Sequence, residues 1–241
     1  MRHDGRRPGA AVTLAGALAG ALLLGGCSGT PPVSPEAGVD GLEIPTPDPD
    51  PYDFTARVDH PLFSLVDQPT WTYEGPDGST VELSVSGTDL VDGVEVTTVD
   101  RVLRDRRGRT VGERRSAFAQ DNDGNVWSFG REVLEGEGES WEAGTDGAEA
   151  GLLLPARPRF GDAWLQQEST ALTTTVEVVG TDARVGALGG QVEALATRDR
   201  ARGTDIDEDV VRYYAPGLGI VRVEDAVTGD PLLELTERTT D

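Results

Sequence analysis

Apolar and polar side chains alternate along most of the chain from His60 to its end. Val81, Leu83 and Val85 fall on one side of an extended backbone, and the polar residues between them fall on the other. The same alternation recurs at Val176 and Val178, at Val192, Ala194 and Ala196, at Val221 and Val223, and at Leu233 and Leu235. A period of two is typical of β-strands that bury one face. The pattern therefore predicts a series of strands with a shared apolar side.

Turn signals separate these apolar runs at short intervals. They are Pro76-Asp77-Gly78, Asp92-Gly93, Arg107-Gly108, Asp123-Gly124, Gly189-Gly190, Pro216-Gly217 and Thr228-Gly229-Asp230. Short strands joined by tight turns are typical of antiparallel sheets. We predict an all-β fold that forms a single antiparallel β-barrel, a sandwich or a strongly curved sheet. Apart from the N-terminal apolar run, no stretch has the pattern of a long helix.

The pattern also repeats once within the chain. Trp71 and Trp164 lie 93 positions apart, and a Gly-Thr-Asp sequence at 87–89 recurs at 180–182 with the same offset. We predict two tandem similar units, at 60–131 and 160–241. Because neither unit alone could cover its apolar face, both are expected to pack as one domain over 58–241.

The predicted connection between the units, 132–159, is too apolar for a free linker. It contains Trp141 and the leucines at 152–154. A long connection of this kind is usually functional or disordered. We expect it to pack over one end of the core as a lid or a plug.

The first 26 residues have the pattern of a signal peptide. Three arginines precede an apolar run over 10–26, which ends in Leu24-Gly25-Gly26-Cys27. This ending resembles the lipobox of bacterial lipoproteins, and Cys27 is the only cysteine. The resemblance implies cleavage before Cys27, palmitate-type acyl chains on that residue, and a position on the extracytoplasmic face of the cell membrane. Two or more acyl chains anchor a protein stably.

Residues 27–57 are predicted to form a lipid-anchored, Pro-rich tether. Its prolines are Pro31, Pro32, Pro35, Pro45, Pro47, Pro49 and Pro51. Pro-rich chain is extended, at about 3.1 Å per residue. The β domain is therefore expected to stand away from the membrane.

Composition excludes several kinds of site and partner. The chain has 43 acidic and 21 basic residues, a net charge of −22, and all its basic residues are arginine. Binding to nucleic acid needs a basic surface, so nucleic acid is not expected as a partner. One cysteine and two histidines are too few for a zinc site or an intramolecular disulfide. His60, which precedes Pro61, is predicted to start a strand rather than to act in catalysis.

The acidic segment 121–125 admits two interpretations. Asp121, Asp123 and Asn125 have the spacing of the first ligands of a calcium loop, but the glycine required at its sixth position is Val126. The alternative is a hairpin, in which Asp123-Gly124 forms a type I′ turn. We favour the hairpin and keep these three residues as weak metal candidates.

A ligand or partner surface is predicted from exposed cations and aromatic residues. Seven arginines lie between 101 and 115, and Arg106, Arg107 and Arg109 surround the turn at Gly108. A projecting basic hairpin could bind anionic headgroups, wall polymers or an acidic partner, although balance against the chain's own acids explains it as well. Trp127 and Trp141 are the aromatic candidates for a ligand groove, although most aromatic residues will lie in the core.

Four short sequence motifs resemble those of a group of bacterial secreted and lipoprotein β-domains. They are WTYEG at 71–75, AQDNDGNVW at 119–127, SWEAG at 140–144 and YYAPGLG at 213–219. The resemblance implies an envelope β-domain and brings no activity with it. In architecture alone, the tandem units also resemble curved-sheet lipoprotein carriers, which hold acyl chains in a concave apolar face.

These observations predict a membrane-anchored lipoprotein that binds an apolar or amphipathic ligand, an envelope polymer or a protein partner, and that is not an enzyme. A purely structural or interaction domain is one alternative. A hydrolase that uses paired carboxylates is another. The sequence identifies no catalytic residue and no cofactor.

Overall fold

The computed structural model describes residues 50–168, 172–203 and 207–240. All of them belong to the compact unit that spans Ser34–Asp241. The predicted signal peptide, the lipidation site at Cys27 and most of the predicted tether lie outside the described residues. In the described part of the chain, no helix is long and apolar enough to cross a membrane.

The described residues form sixteen strands and one turn of 3-10 helix at Pro51–Asp53. The strands are β1 (Phe54–Thr55), β2 (Asp59–His60), β3 (Phe63–Ser64), β4 (Thr70–Glu74), β5 (Thr80–Val91), β6 (Val94–Arg104), β7 (Thr110–Asp121), β8 (Val126–Glu135), β9 (Trp141–Glu142), β10 (Gly151–Leu154), β11 (Ala163–Glu168), β12 (Leu172–Ala187), β13 (Gly190–Gly203), β14 (Asp207–Ala215), β15 (Gly219–Asp225) and β16 (Pro231–Thr239). The predicted all-β fold is confirmed.

Fourteen of these strands form one antiparallel sheet, and β2 and β3 form a separate pair. Along the sheet the order is β10, β8, β7, β6, β5, β4, β16, β15, β14, β13, β12 and β11, with β1 beside β7 and β9 beside β8. The sheet thus joins two six-stranded meanders through the β4–β16 pair, where Tyr73 lies opposite Leu235. Of the predicted architectures, a large sheet that is not closed into a barrel is the one observed.

The two meanders share an irregularity at equivalent positions. The β5–β6 register shifts between Val85 and Gly87, and the β12–β13 register shifts between Val178 and Gly180. The two bulges are offset by the 93 residues that relate the tryptophans of β4 and β11. A bulge locally increases strand twist and bends the sheet. The same bend therefore occurs once in each half of the sheet.

The predicted connection contributes two short strands to the sheet, β9 and β10, instead of a lid or a plug. β10 pairs with β8, and Leu152 lies opposite Trp127. Leu152 and Leu154 are almost completely buried, at 1% and 0% exposure. β10 completes the first meander because it supplies the sixth strand, in the place that β16 has in the second.

The two edge strands of the sheet, β10 and β11, meet each other. The indole Nε1 of Trp164 donates a hydrogen bond of 2.9 Å to the Leu152 carbonyl. At Gly151 the backbones approach so closely that an added Cβ would overlap the Gln166 carbonyl oxygen. The sheet is therefore curled until its edges touch, but no ladder of backbone hydrogen bonds between β10 and β11 closes it into a barrel. Its concave face surrounds an open interior.

Residues 54–65, here called the entry segment, pack against the sheet, and the Phe63 ring lies beside Phe118 in this interior. The Phe54 ring packs edge-on against Phe129 with a centroid distance of 5.0 Å. The Pro61 carbonyl accepts a hydrogen bond of 2.8 Å from the Gly217 N–H. The entry segment thus contacts both meanders and belongs to one apolar core cluster with them. Strand structure begins at Phe54, three residues before the predicted end of the tether.

His60 is buried in the entry segment, at the predicted start of a strand. It is 3% exposed. Its Nδ1 accepts the Leu62 N–H at 3.1 Å, and its Nε2 lies 3.2 Å from the Pro155 carbonyl oxygen. This arrangement suits the neutral ring protonated at Nε2. Burial lowers the pKa of His60 from its ordinary value of 6.5, although the carbonyl contacts oppose the shift.

We expect the free energy of unfolding to decrease as the pH falls below about 6.5, because the unfolded chain then binds a proton that folded His60 resists. Above that pH the contribution of His60 is constant. The test is urea denaturation of the Ser34–Asp241 fragment at several values between pH 8 and 5.5. The fragment has no other histidine, so His60→Gln should remove the dependence. A wild-type stability that does not change over this range would contradict the prediction.

Candidate ligand-binding groove

The interior that the entry segment does not fill is a groove of about 710 Å³. Its walls come from the concave faces of both meanders, and Phe63 of the entry segment is part of its lining. This volume lies within the range of about 300–1,000 Å³ that is usual for small-molecule sites. The apolar lining includes Phe63, Tyr73, Val81, Leu83, Phe118, Trp141, Leu153, Ile220, Val223 and Leu233.

Much of this apolar lining is only half-buried. Phe63 and Phe118 pack edge-on with a centroid distance of 5.2 Å. Both rings, together with Leu153 and Ile220, keep part of their surface uncovered. A concave apolar surface that the chain itself leaves partly exposed gains free energy when a ligand covers it.

Three arginines from adjacent strands share the groove with these apolar residues. Arg101 of β6 lies directly opposite Arg114 of β7. Arg131 of β8 lies opposite Ser116, two residues further along β7 on the same face. Among the described residues these three side chains form no ion pair. Like charges directly opposite each other destabilise a sheet, so this cluster costs the fold stability.

Burial and mutual repulsion both act on the cluster. Burial, and then the charges of Arg101, Arg131 and Arg212, lower the pKa of Arg114 to about 9. Burial likewise lowers the pKa of Arg101 and that of Arg131. The Glu208 carboxylate favours the protonated form of all three, and the Glu139 carboxylate also favours that of Arg131.

The fourth arginine of the groove, Arg212 of β14, is paired. Its guanidinium donates to the buried Asp199 carboxylate and, at 3.0 Å, to Glu208. Asp199 also accepts a hydrogen bond of 2.7 Å from the Thr197 hydroxyl. Burial opposes the charge of Arg212, but the two carboxylates outweigh it and raise the pKa of Arg212. Four arginines and two carboxylates line the groove, which gives it a formal charge of +2 in a chain of charge −22.

The five residues predicted from sequence to form a ligand or partner surface do not lie together in the structure. Arg106, Arg107 and Arg109 are exposed at the tip of the β6–β7 hairpin, beyond the two groove arginines that the same hairpin carries. Trp127 is in the core, 2% exposed. Trp141 is half-buried and lines the groove. The structure thus brings Trp141 to the groove, and a partner role for the hairpin tip stays a prediction.

The segment 121–125 is a hairpin turn between β7 and β8. The Asp121 carboxylate accepts the N–H groups of Asp123 and Asn125, the Asn125 side-chain amide and the Trp127 indole N–H, all within 3.0 Å. Gly124 has a φ of +93°, but Asp123 does not have a positive φ. The predicted type I′ turn is therefore wrong, because that turn requires positive φ at both central residues.

The hydrogen bonds of Asp121 account for the acidic segment without a metal ion. Both of its carboxylate oxygens are used within the hairpin. Within the described residues, no group of three or more His, Cys, Asp or Glu side chains is arranged to hold a metal.

The sequence matches no protein-family profile and no curated protein. Two solved structures are similar to the chain. A candidate lipoprotein from Parabacteroides distasonis ATCC 8503 is 11% identical, with a TM-score of 0.44, and the match covers 74% of this chain and 98% of that one. A candidate exported protein with a YmcC-like fold from Bacteroides fragilis NCTC 9343 is 12% identical, with a TM-score of 0.46, and the match covers 72% and 96%.

Arg101 and Arg114 were predicted only as part of a projecting basic hairpin, and Arg131 and Arg212 were missed from sequence, although a signal for a position in the groove exists. On β6, Arg101 alternates in phase with Val99 and Leu103, which face the interior. On β14, Arg212 alternates in phase with Val210 and Tyr214, both 3% exposed. An arginine at a position that the period assigns to the apolar face is a candidate for a buried or ligand-binding cation.

Proposed function

We propose that this protein is an extracytoplasmic, membrane-anchored lipoprotein whose groove binds an apolar or amphipathic ligand. The observation that carries the binding role is the groove itself, since apolar side chains of both meanders face it without being covered. A structural module would be expected to fill this interior, and about 710 Å³ is left open.

A binding role also suits the groove carboxylates better than hydrolysis. Asp199 and Glu208 both contact Arg212. One guanidinium engages both carboxylates, whereas the two carboxyl groups of a glycosidase flank the bond that is cleaved. This contrast supports a non-enzymatic function.

The anchoring part of the proposal depends on Cys27 and the apolar run before it. An inhibitor of the lipoprotein signal peptidase, applied to producing cells, should increase the mass of the protein by the uncleaved N-terminal segment. Cys27→Ser should abolish incorporation of labelled palmitate. An unchanged mass, or labelling of the serine variant, would refute lipidation at this residue.

The binding part can be tested with an uncharged probe, 1-N-phenylnaphthylamine, whose fluorescence rises in apolar surroundings. The Ser34–Asp241 fragment should bind it saturably. Ala201 lines the groove, so Ala201→Trp should lower the affinity at least tenfold, or by about 1.4 kcal/mol. Val227 is 80% exposed, and Val227→Trp serves as the matched control with unchanged affinity. Absence of saturable binding by the wild type would refute a ligand-binding groove.

A further inference from the structure

The arginine cluster places like charges together inside the groove. At other positions arginines pair with carboxylates across strands, as Arg115 does with Asp100 and Arg198 with Asp209. Two acidic pairs, Glu74 with Glu234 and Glu113 with Glu135, also lie opposite each other, but each has an exposed member. Arg101 and Arg114 face each other as like charges, and burial raises the cost of both. Local choices that cost stability without structural compensation tend to lie at functional sites. Asp199 and Glu208 also line the groove, but no carboxylate of the described residues forms an ion pair with Arg101, Arg114 or Arg131, and the lining keeps a formal charge of +2.

The chemistry of the cluster fits a phosphate group. A guanidinium presents several N–H donors in a planar fork, which matches the oxygens of carboxylates and phosphates. Arg101, Arg114 and Arg131 surround one space, with the Ser116 hydroxyl among them as a further donor. A phosphate monoester carries a charge of about −1.5 to −2 at pH 7. This charge balances the +2 of the groove better than a single carboxylate would.

The surroundings restrict what can carry the phosphate. The same groove exposes the apolar side chains of Phe63, Phe118 and Leu153 beside the arginines. A free inorganic anion would leave this apolar surface exposed to water, because it has no apolar part to cover it. A nucleic acid or another polyanion would be repelled by the remaining surface of a chain with net charge −22. A ligand with one charged end and one apolar chain satisfies both parts of the groove.

From these features, and on the basis of the proposed binding function, we infer that the groove holds a single-chain lipid with a terminal phosphate, with the phosphate on Arg101, Arg114 and Arg131 and the chain along the apolar walls. The volume suits one chain rather than several, because it falls in the range of small-ligand sites. The arginines therefore select the ligand by its phosphate, whereas the apolar walls do not distinguish between chains of different structure.

The test compares probes that differ in one feature. Palmitoyl lysophosphatidic acid should displace 1-N-phenylnaphthylamine from the Ser34–Asp241 fragment at least tenfold more tightly than palmitoyl lysophosphatidylcholine, whose headgroup is zwitterionic. Palmitate should rank between them, which would distinguish a preference for phosphate from one for any acid. Inorganic phosphate should not displace the probe at the same concentrations. If it does, the site is one for free phosphate and the inference is wrong.

Variants separate this inference from the proposed function. Arg114→Gln and Arg131→Gln should each lower the affinity for lysophosphatidic acid at least tenfold and change the affinity for the uncharged probe far less, because that probe has no charge for a guanidinium to bind. Arg114→Gln should also raise the melting temperature, because it removes a like-charge contact, whereas loss of a purely structural arginine would lower it. Arg106→Gln, at the exposed hairpin tip, is the control with the same change of charge and no effect.

Two results would overturn the inference in different ways. If the uncharged probe binds but Arg114→Gln and Arg131→Gln bind lysophosphatidic acid as the wild type does, the phosphate site is refuted and the apolar groove is retained. If the uncharged probe does not bind the wild type at all, the proposed function fails, and the inference fails with it.

Discussion

Trp71→Ala should lower the free energy of unfolding by about 3–5 kcal/mol, the usual cost of removing a large buried aromatic side chain. Trp71 is 4% exposed. Its indole N–H donates a hydrogen bond of 2.7 Å to the Leu218 carbonyl, and its ring lies against the backbone of Gly219. Since Trp71 is on β4 and both partners belong to the second meander, the substitution removes a contact between the two halves of the sheet.

Two controls show which part of this effect comes from burial and which from the hydrogen bond. Trp71→Phe keeps most of the ring but leaves the Leu218 carbonyl unpaired, so it should cost about 1–3 kcal/mol. Trp141 is only half-buried, and Trp141→Ala should cost less than Trp71→Ala. Urea denaturation of the Ser34–Asp241 fragment measures all three. A loss at Trp71→Ala no larger than at Trp141→Ala would contradict the packing described for the two meanders.

The second large effect is expected at Asp199. Asp199→Ala should cost about 3–5 kcal/mol, because it breaks a buried ion pair and leaves a buried cation without its partner. Asp199 is 3% exposed and is held by Arg212 and by the Thr197 hydroxyl. Without it, Arg212 would keep only the Glu208 carboxylate as an ion-pair partner, and the side chain of Glu208 is 49% exposed.

A double-mutant cycle tests this explanation. Arg212→Met in the background of Asp199→Ala should recover part of the lost stability, since removing both partners of a buried pair is often close to neutral. Asp207 forms an exposed ion pair with Arg202 and is 82% exposed at its side chain. Asp207→Ala should therefore change stability by less than about 1 kcal/mol. Strictly additive effects of the two groove substitutions would show that Asp199 and Arg212 do not act as a pair.

Individual strands and the internal repeat were predictable from the sequence, because each depends on the order of apolar and polar residues within a short segment. Alternation at Val81, Leu83 and Val85 gave the strand β5 and its buried phase. The offset between Trp71 and Trp164 pointed to tandem units, and the equivalent bulges in β5 and β12 follow the same offset. The alternation of apolar residues and the repeated Gly-Thr-Asp sequence can both be recognised in one sequence, without knowing which strands pair with each other.

Features that depend on distant pairings were not predictable. The β4–β16 pair joins residues at opposite ends of the domain, and the contact between β10 and β11 depends on how far the whole sheet curls. The short strand β10 was taken for part of a lid or plug, because a run of four residues does not show a period. The place of Arg101 and Arg114 in the groove depends on which strands lie next to them, and strand neighbours cannot be read from the sequence. The exposed hairpin tip beyond these two residues was therefore predicted as the binding site instead.

Native mass spectrometry of the domain, released from its own membrane without detergent, tests the ligand directly. A protease site inserted in the predicted tether would allow the domain to be cut free and measured with its bound ligand. We expect a species heavier than the polypeptide by one single-chain lipid phosphate, which is depleted in Arg114→Gln and in Ala201→Trp. A spectrum that shows only the mass of the polypeptide would contradict this expectation.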